Sequence, residues 1–217
     1  MAHAISALQS ASRPSGAHWR IRSNRKFGKT LLAALAVFWP LCLPAQWLPT
    51  IKAVVGQPVL QELMGGCSMQ CAFPWTTSAL VSGKSPQIVY TLDDNDASTA
   101  WIDPKSTIGT KLQFQFPAKL PPELNGIPFY GFDFASGVVR PVEAFKNYAR
   151  IKKAKLFYNG KALYYVVFAD DYRWQHVNFA DIMANQGDKM TLEILEVYPG
   201  TKSPNAAVTE IILQGAH

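Results

Sequence analysis

The sequence predicts an all-β protein built as an antiparallel sandwich with few short helices. Three observations predict it. "KLQFQF" (111–116) alternates polar and apolar residues with period two, as a strand does when one face is buried. "KAKLFYNGKALYYVVF" (153–168) sets Asn159-Gly160 between two runs of β-forming residues, and Asn-Gly tolerates positive φ at both central positions of a hairpin turn. Strand-like runs then recur to the C-terminus between turns such as "FPAKLPPELNG" and "YPGTKSPNAA", a pattern that suits sheet packed on sheet.

In chain order the first element is not β. Residues 1–45 read as a signal peptide or an N-terminal membrane anchor: Arg13, Arg20, Arg22, Arg25, Lys26 and Lys29 precede the apolar run in "TLLAALAVFWPLCLPAQW". The apolar core is short for a spanning helix, and Leu43, Pro44 and Ala45 offer a cleavage point before Gln46. Trp39, Pro40 and Leu41 argue against a lipidated Cys42. The formal charge of +6 is concentrated here, because removing those six cations from the 21 leaves 15, against 15 Asp and Glu. A body without surplus cations is a poor nucleic-acid tracker. With 48% hydrophobic and 17% charged residues it is instead expected to fold around a substantial core.

Residues 46–64 read as a linker and 65–217 as the folded domain. In "GGCSMQCAFPW", Cys67 and Cys71 form the even pair left after Cys42 is removed with the signal. Export favours a short-loop disulfide between them; two reduced thiols are the alternative. Zinc is disfavoured, since His176 is the domain's one interior histidine, about a hundred residues downstream. Further strands are expected at 127–134, interrupted by Gly131, at 189–198, and at 208–215. Two segments look helical, "VEAFKNYA" (142–149) and "FADIMAN" (179–185).

Before these strands lies "TLDDNDASTAW" (91–101), where Asp93, Asp94 and Asp96 crowd against a turn that ends in Trp101. The stretch resembles the L-D-G-D-x-S-T-A-W signature of discoidin-like (coagulation factor 5/8 type C) domains. Here Asp94 and Asn95 stand where that signature has one Gly. "NYARIKKAKLFYNGK" (147–161) and "ILEVYPGTKSPNAAVTEIIL" (194–213) look like later strands of the NADase-type glycan-binding branch, described as the translocation domain of an NAD glycohydrolase toxin. The Cys-x-x-x-Cys segment, the acidic turn, the Asn-x-Arg strand and the Tyr-Pro-Gly-Thr-Lys loop occur in that branch's order over about residues 65–213.

The resemblance implies an antiparallel jelly-roll β-sandwich like galactose-binding domains. It also implies a structural calcium ion held by Asp94, Asp96, Thr99 and Glu210, with Asp93 able to replace Asp94. Oxygen donors on a turn suit that ion. Side-chain-to-backbone turns without metal remain the alternative. Trp101 is expected in the core.

A sugar site needs an aromatic ring and planar polar groups. Trp75, Asn147, Tyr148 and Arg150 are the candidates, with Tyr130, Arg140, Tyr172 and Trp174 also in or beside loops. Arg150 also fits a strand anchor. His176, in the alternating "YRWQHVNF", reads as a strand residue rather than a general base. No Gly-x-Ser-x-Gly elbow, Gly-rich phosphate loop or His-Glu-x-x-His helix is present. A tight turn also cannot place two carboxyls on opposite sides of a sugar ring. The expected protein is a non-catalytic, periplasmic or secreted module for a glycan or another cell-envelope ligand, touching membrane only through an uncleaved N-terminus. An envelope protein-protein interaction module is the alternative.

Overall fold

The computed structural model describes residues 47–59, 75–80, 86–104, 107–119 and 126–215. The N-terminal segment 1–45 and the Cys67–Cys71 pair lie outside the described residues. Among these are twelve strands: β1 (Thr50–Lys52), β2 (Val54–Val55), β3 (Thr76–Leu80), β4 (Gln87–Ile88), β5 (Trp101–Ile102), β6 (Lys111–Gln115), β7 (Ile127–Ser136), β8 (Arg150–Tyr158), β9 (Lys161–Val167), β10 (Gln175–Ala184), β11 (Lys189–Tyr198) and β12 (Ala207–Gly215). They form a seven-stranded sheet ordered β1-β9-β8-β11-β6-β3-β4 and a five-stranded sheet ordered β2-β10-β7-β12-β5. The expected all-β sandwich is therefore observed.

Alternation builds the core. In β6 Leu112 and Phe114 turn inward, in β8 Ala154 and Leu156, and in β11 Met190, Leu192 and Ile194. They meet Phe129, Phe132 and Phe134 of β7 and Ile211 and Leu213 of β12. Trp101 joins this core as expected.

The Asn159-Gly160 hairpin is also as expected, with φ of 48° and 78° at the two turn residues. Its far side is tied to the loop before β11: Tyr158 and Asn159 donate to Asp188 at 2.6 and 2.8 Å, and the Lys189 N–H donates to Asn159 Oδ1 at 2.9 Å. A Cβ at Gly160 would meet nothing within 4 Å, so Gly160→Ala should lose only the left-handed backbone preference, about 1–2 kcal/mol. We expect a melting temperature lower by about 2–8 °C. An unchanged midpoint would show that the turn relaxes at no cost.

Three expectations are corrected. Residues 179–185 are not helical: 179–184 lie in β10 and Asn185 follows it, and a bulge between Asn178 and Ile182 breaks the pairing with β7 and disrupts period two. In 142–149 only Val142–Ala144 forms a short 3-10 turn, after which the chain buries Phe145. Part of the expected linker is structural as well. β1 pairs in parallel with β9, and β2 pairs antiparallel with β10, so residues 50–55 extend both sheets.

Candidate functional site

The acidic turn follows a 3-10 turn at Tyr90–Leu92, whose Leu92 is fully buried. Asn95 takes a left-handed φ of 58°, which reverses the chain. Asp94 then accepts the Asp96 N–H at 3.0 Å and the Thr99 hydroxyl at 2.8 Å, while Asp96 accepts the Ser98 N–H and hydroxyl at 2.8 and 2.6 Å. These Ser98 bonds hold the Asp96 carboxyl below its ordinary range. Asp93 turns the other way, into the protein, where Thr77 reaches it at 3.3 Å. Burial pushes its pKa up to about 6, although Thr77 and Trp75 pull it down.

Glu210 faces this turn from β12. A register shift between Val208 and Glu210 re-aims its side chain, as bulges do. It is fully buried, and neither carboxylate oxygen has a well-formed hydrogen bond. Desolvation, and then the charges of Asp94, Asp93 and Asp96, push its pKa up to about 9; the Asn95 backbone amide only partly opposes them. The turn and the strand thus bring Asp94, Asp96, Thr99 and Glu210 into one electrostatic neighbourhood. Among the described residues no three Asp, Glu, His or Cys side chains are gathered tightly enough to chelate an ion unaided. A buried, unpartnered carboxylate nevertheless fits a bound cation, because an isolated buried charge is costly.

A small second core links the turn to neighbouring loops: Ala97 packs with Val59, Ala135, Val139 and Trp174. Nearby, Arg150 is an anchor and not a ligand group. Its side chain is 3% exposed and forms a two-pronged pair with Asp170 at 2.9 and 2.9 Å. It also donates to the carbonyls of Tyr148 and Pro199 at 2.9 and 2.7 Å. Trp75 is likewise unsuited to a ligand, being buried edge-on against Phe116 with ring centroids 6.4 Å apart. Local sequence shows an aromatic beside a strand but not what covers it.

Asn147 and Tyr148 are better placed. The Asn147 carbonyl accepts the N–H groups of Lys202 and Ser203, each at 2.9 Å, and the Thr201 hydroxyl donates to Lys146 at 3.0 Å. These bonds fix the loop of residues 199–204, which with Ala149 and Val197 lines an open pocket of about 330 Å³. Gly200 is required there: a Cβ would lie 2.1 Å from the Ser203 carbonyl oxygen. Asn147 and Tyr148 flank the pocket without lining it. Thr201, Lys202 and Ser203 were missed as site residues, although Pro199-Gly200 and Pro204 mark a turn-rich loop. His176 is a strand residue on the outer face of β10, its Nδ1 donating to Asp133 at 2.5 Å.

The profile of the NAD glycohydrolase translocation F5/8 type C domain matches residues 73–214. The chain belongs to that family. Within this F5/8 type C family match lie the acidic turn, the Arg150 anchor, the 199–204 loop and Glu210. Solved structures resembling the chain include the CBM32-1 and CBM32-2 domains of Clostridium perfringens ZmpB in complex with GalNAc, with a TM-score of 0.49, 11% identity, and coverage of 76% of this chain and 39% of that one. A second structure of the CBM32-1 and CBM32-2 domains of Clostridium perfringens ZmpB gives 0.48 at 11% identity, covering 76% and 41%. A structure that adds the catalytic domain gives 0.47 at 11% identity, covering 78% and 17%. This chain spans less than half of each of those chains. No curated protein matches it.

Proposed function

We propose that this F5/8 type C domain is a non-catalytic, exported module that binds a carbohydrate of the cell envelope at the pocket beside the 199–204 loop. The observation that carries the reading is that pocket, open and partly polar, whose loop is fixed by backbone bonds to Asn147 and Lys146. Its volume of about 330 Å³ lies at the small end of ligand sites. Lys202 contributes a cation from the pocket's lining, and Asn147 and Tyr148, which flank it, would offer a planar amide and a ring to a sugar that extends past the rim. Family membership supports the same reading.

Calcium belongs to this proposal as a structural ion at Asp94, Asp96, Thr99 and Glu210. Its charge would keep Glu210 ionised and stiffen the turn. The Cys67–Cys71 disulfide and a periplasmic or secreted location complete the proposal.

The test is a glycan array probed with protein beginning at Gln46, with calcium and again with chelator. Selective binding to one glycan class is expected, weakened about tenfold or more in Asn147→Ala and Lys202→Ala, each of which removes one or two hydrogen bonds. A blank array at high protein concentration would turn the reading toward a protein partner.

A further inference from the structure

We propose that the outer face of the seven-stranded sheet is a second binding surface, which receives a linear acidic polysaccharide through Lys52, Lys111, Lys153 and Lys155. Alternation creates this face. Because Ala154 and Leu156 of β8 point inward, Lys153, Lys155 and Phe157 point outward.

The strand registers assemble the cations. Lys52 pairs with Val167, which pairs with Lys153, which faces Glu196. In the next row Tyr165 pairs with Lys155, then Glu193, then Lys111. Lys111 lies 3.8 Å from Glu193, and Glu196 is shared between Lys152 at 3.0 Å and Lys153 at 3.9 Å. Among the described residues neither Lys52 nor Lys155 has a carboxylate within ion-pair distance. Five ammonium groups thus stand over two carboxylates.

Aromatic rings hold these cations in place. Lys155 lies 5.2 Å from the Phe157 ring centre and 5.9 Å from that of Tyr165, and Lys153 lies 4.8 Å from Tyr165. Such contacts attract the ammonium to the ring face and restrict long side chains.

Spacing selects the polyanion. Lys52 and Lys153, like Lys155 and Lys111, are two strands apart, about 10 Å at the usual strand separation. A nucleic-acid duplex carries one phosphate charge about every 1.7 Å of helix axis with both strands counted, a denser array that would press some of its charges onto Glu193 and Glu196. The ring faces, already covered by ammonium groups, are not open to stacked bases. A polysaccharide with one carboxylate per disaccharide spaces its charges more widely and can step from lysine to lysine.

The experiment measures binding of hyaluronan oligosaccharides, duplex DNA and phosphatidylglycerol vesicles to the full chain as a function of salt. Wild type is compared with a variant carrying Lys→Gln at positions 52, 111, 153 and 155, and with a Lys→Arg counterpart. All three keep the N-terminal cations, so differences report on the sheet. We expect hyaluronan binding to weaken about 30-fold in the Gln variant, with a shallower salt dependence, and to survive in the Arg variant. The double variant Lys111→Gln/Lys155→Gln gives the same readout if the quadruple one does not fold. Loop-pocket binding to neutral glycans should persist in every folded variant, which separates the two sites. No hyaluronan binding by wild type at low salt, equal binding by the folded Gln variant, or an equal loss for DNA or vesicles would overturn the proposal.

Discussion

Glu210→Gln is expected to stabilise the calcium-free domain at pH 8 and to leave it unchanged near pH 4. The carboxyl has a pKa of about 9 when folded, against an ordinary 4.5. Below pH 4.5 it is protonated in both states and carries no penalty. Between that value and about 9 the unfolded chain binds fewer protons than the folded one, so stability falls as pH rises. Asp93, raised to about 6, adds a smaller slope of the same sign at lower pH. Glutamine removes the Glu210 part, which amounts to a few kcal/mol and roughly 5–10 °C in melting temperature at pH 8. Calcium should stabilise wild type at pH 7.5, release about one proton as it binds, and leave the Gln variant unmoved. Scanning calorimetry with pH-stat titration checks both parts. A difference between the two proteins that does not vary with pH, together with no effect of chelator, would remove Glu210 from the ion site.

Arg150→Ala should have the largest destabilising effect of a single side chain near the pocket. Removing one member of a buried ion pair costs about 3–5 kcal/mol. Here the lower end applies, because the Asp170 side chain is 32% exposed and can rehydrate. A fall of about 6–12 °C follows. The Tyr148 and Pro199 carbonyls also lose their donor, so proteolysis within residues 199–205 should accelerate. Arg150→Lys keeps the charge but not the planar fork, and should fall between the two. A fully stable Arg150→Ala that has lost glycan binding would return Arg150 to the ligand.

The sequence made the regular strands legible where burial is one-sided. Residues 111–116 and 189–198 alternate because their outer faces meet solvent, and Asn159-Gly160 carries its turn type in two residues. Residues 179–185 misled for the converse reason: the bulge after Asn178 gives a strand a spacing that resembles a helix. β1 and β2, of three and two residues, are too short to show any period. Within the site, resemblance pointed to Glu210, but its isolation could not be read. In β12 residues 207–211 are buried whichever face they occupy, so alternation says nothing there. Arg150 and Trp75 have the chemistry of ligand groups and the surroundings of structural ones. Only tertiary packing separates those roles.

The position of β12 also governs when the protein can fold. β12, the last of the described strands, lies between β7 and β5, while β1 and β2 wait for β9 and β10, more than a hundred residues downstream. Neither sheet can be completed from the N-terminal half alone, and such distant pairings form slowly. A chain emerging from the ribosome therefore stays without its finished sandwich until residues 207–215 have been released. A chain truncated before Ala207 should accordingly never acquire protease resistance.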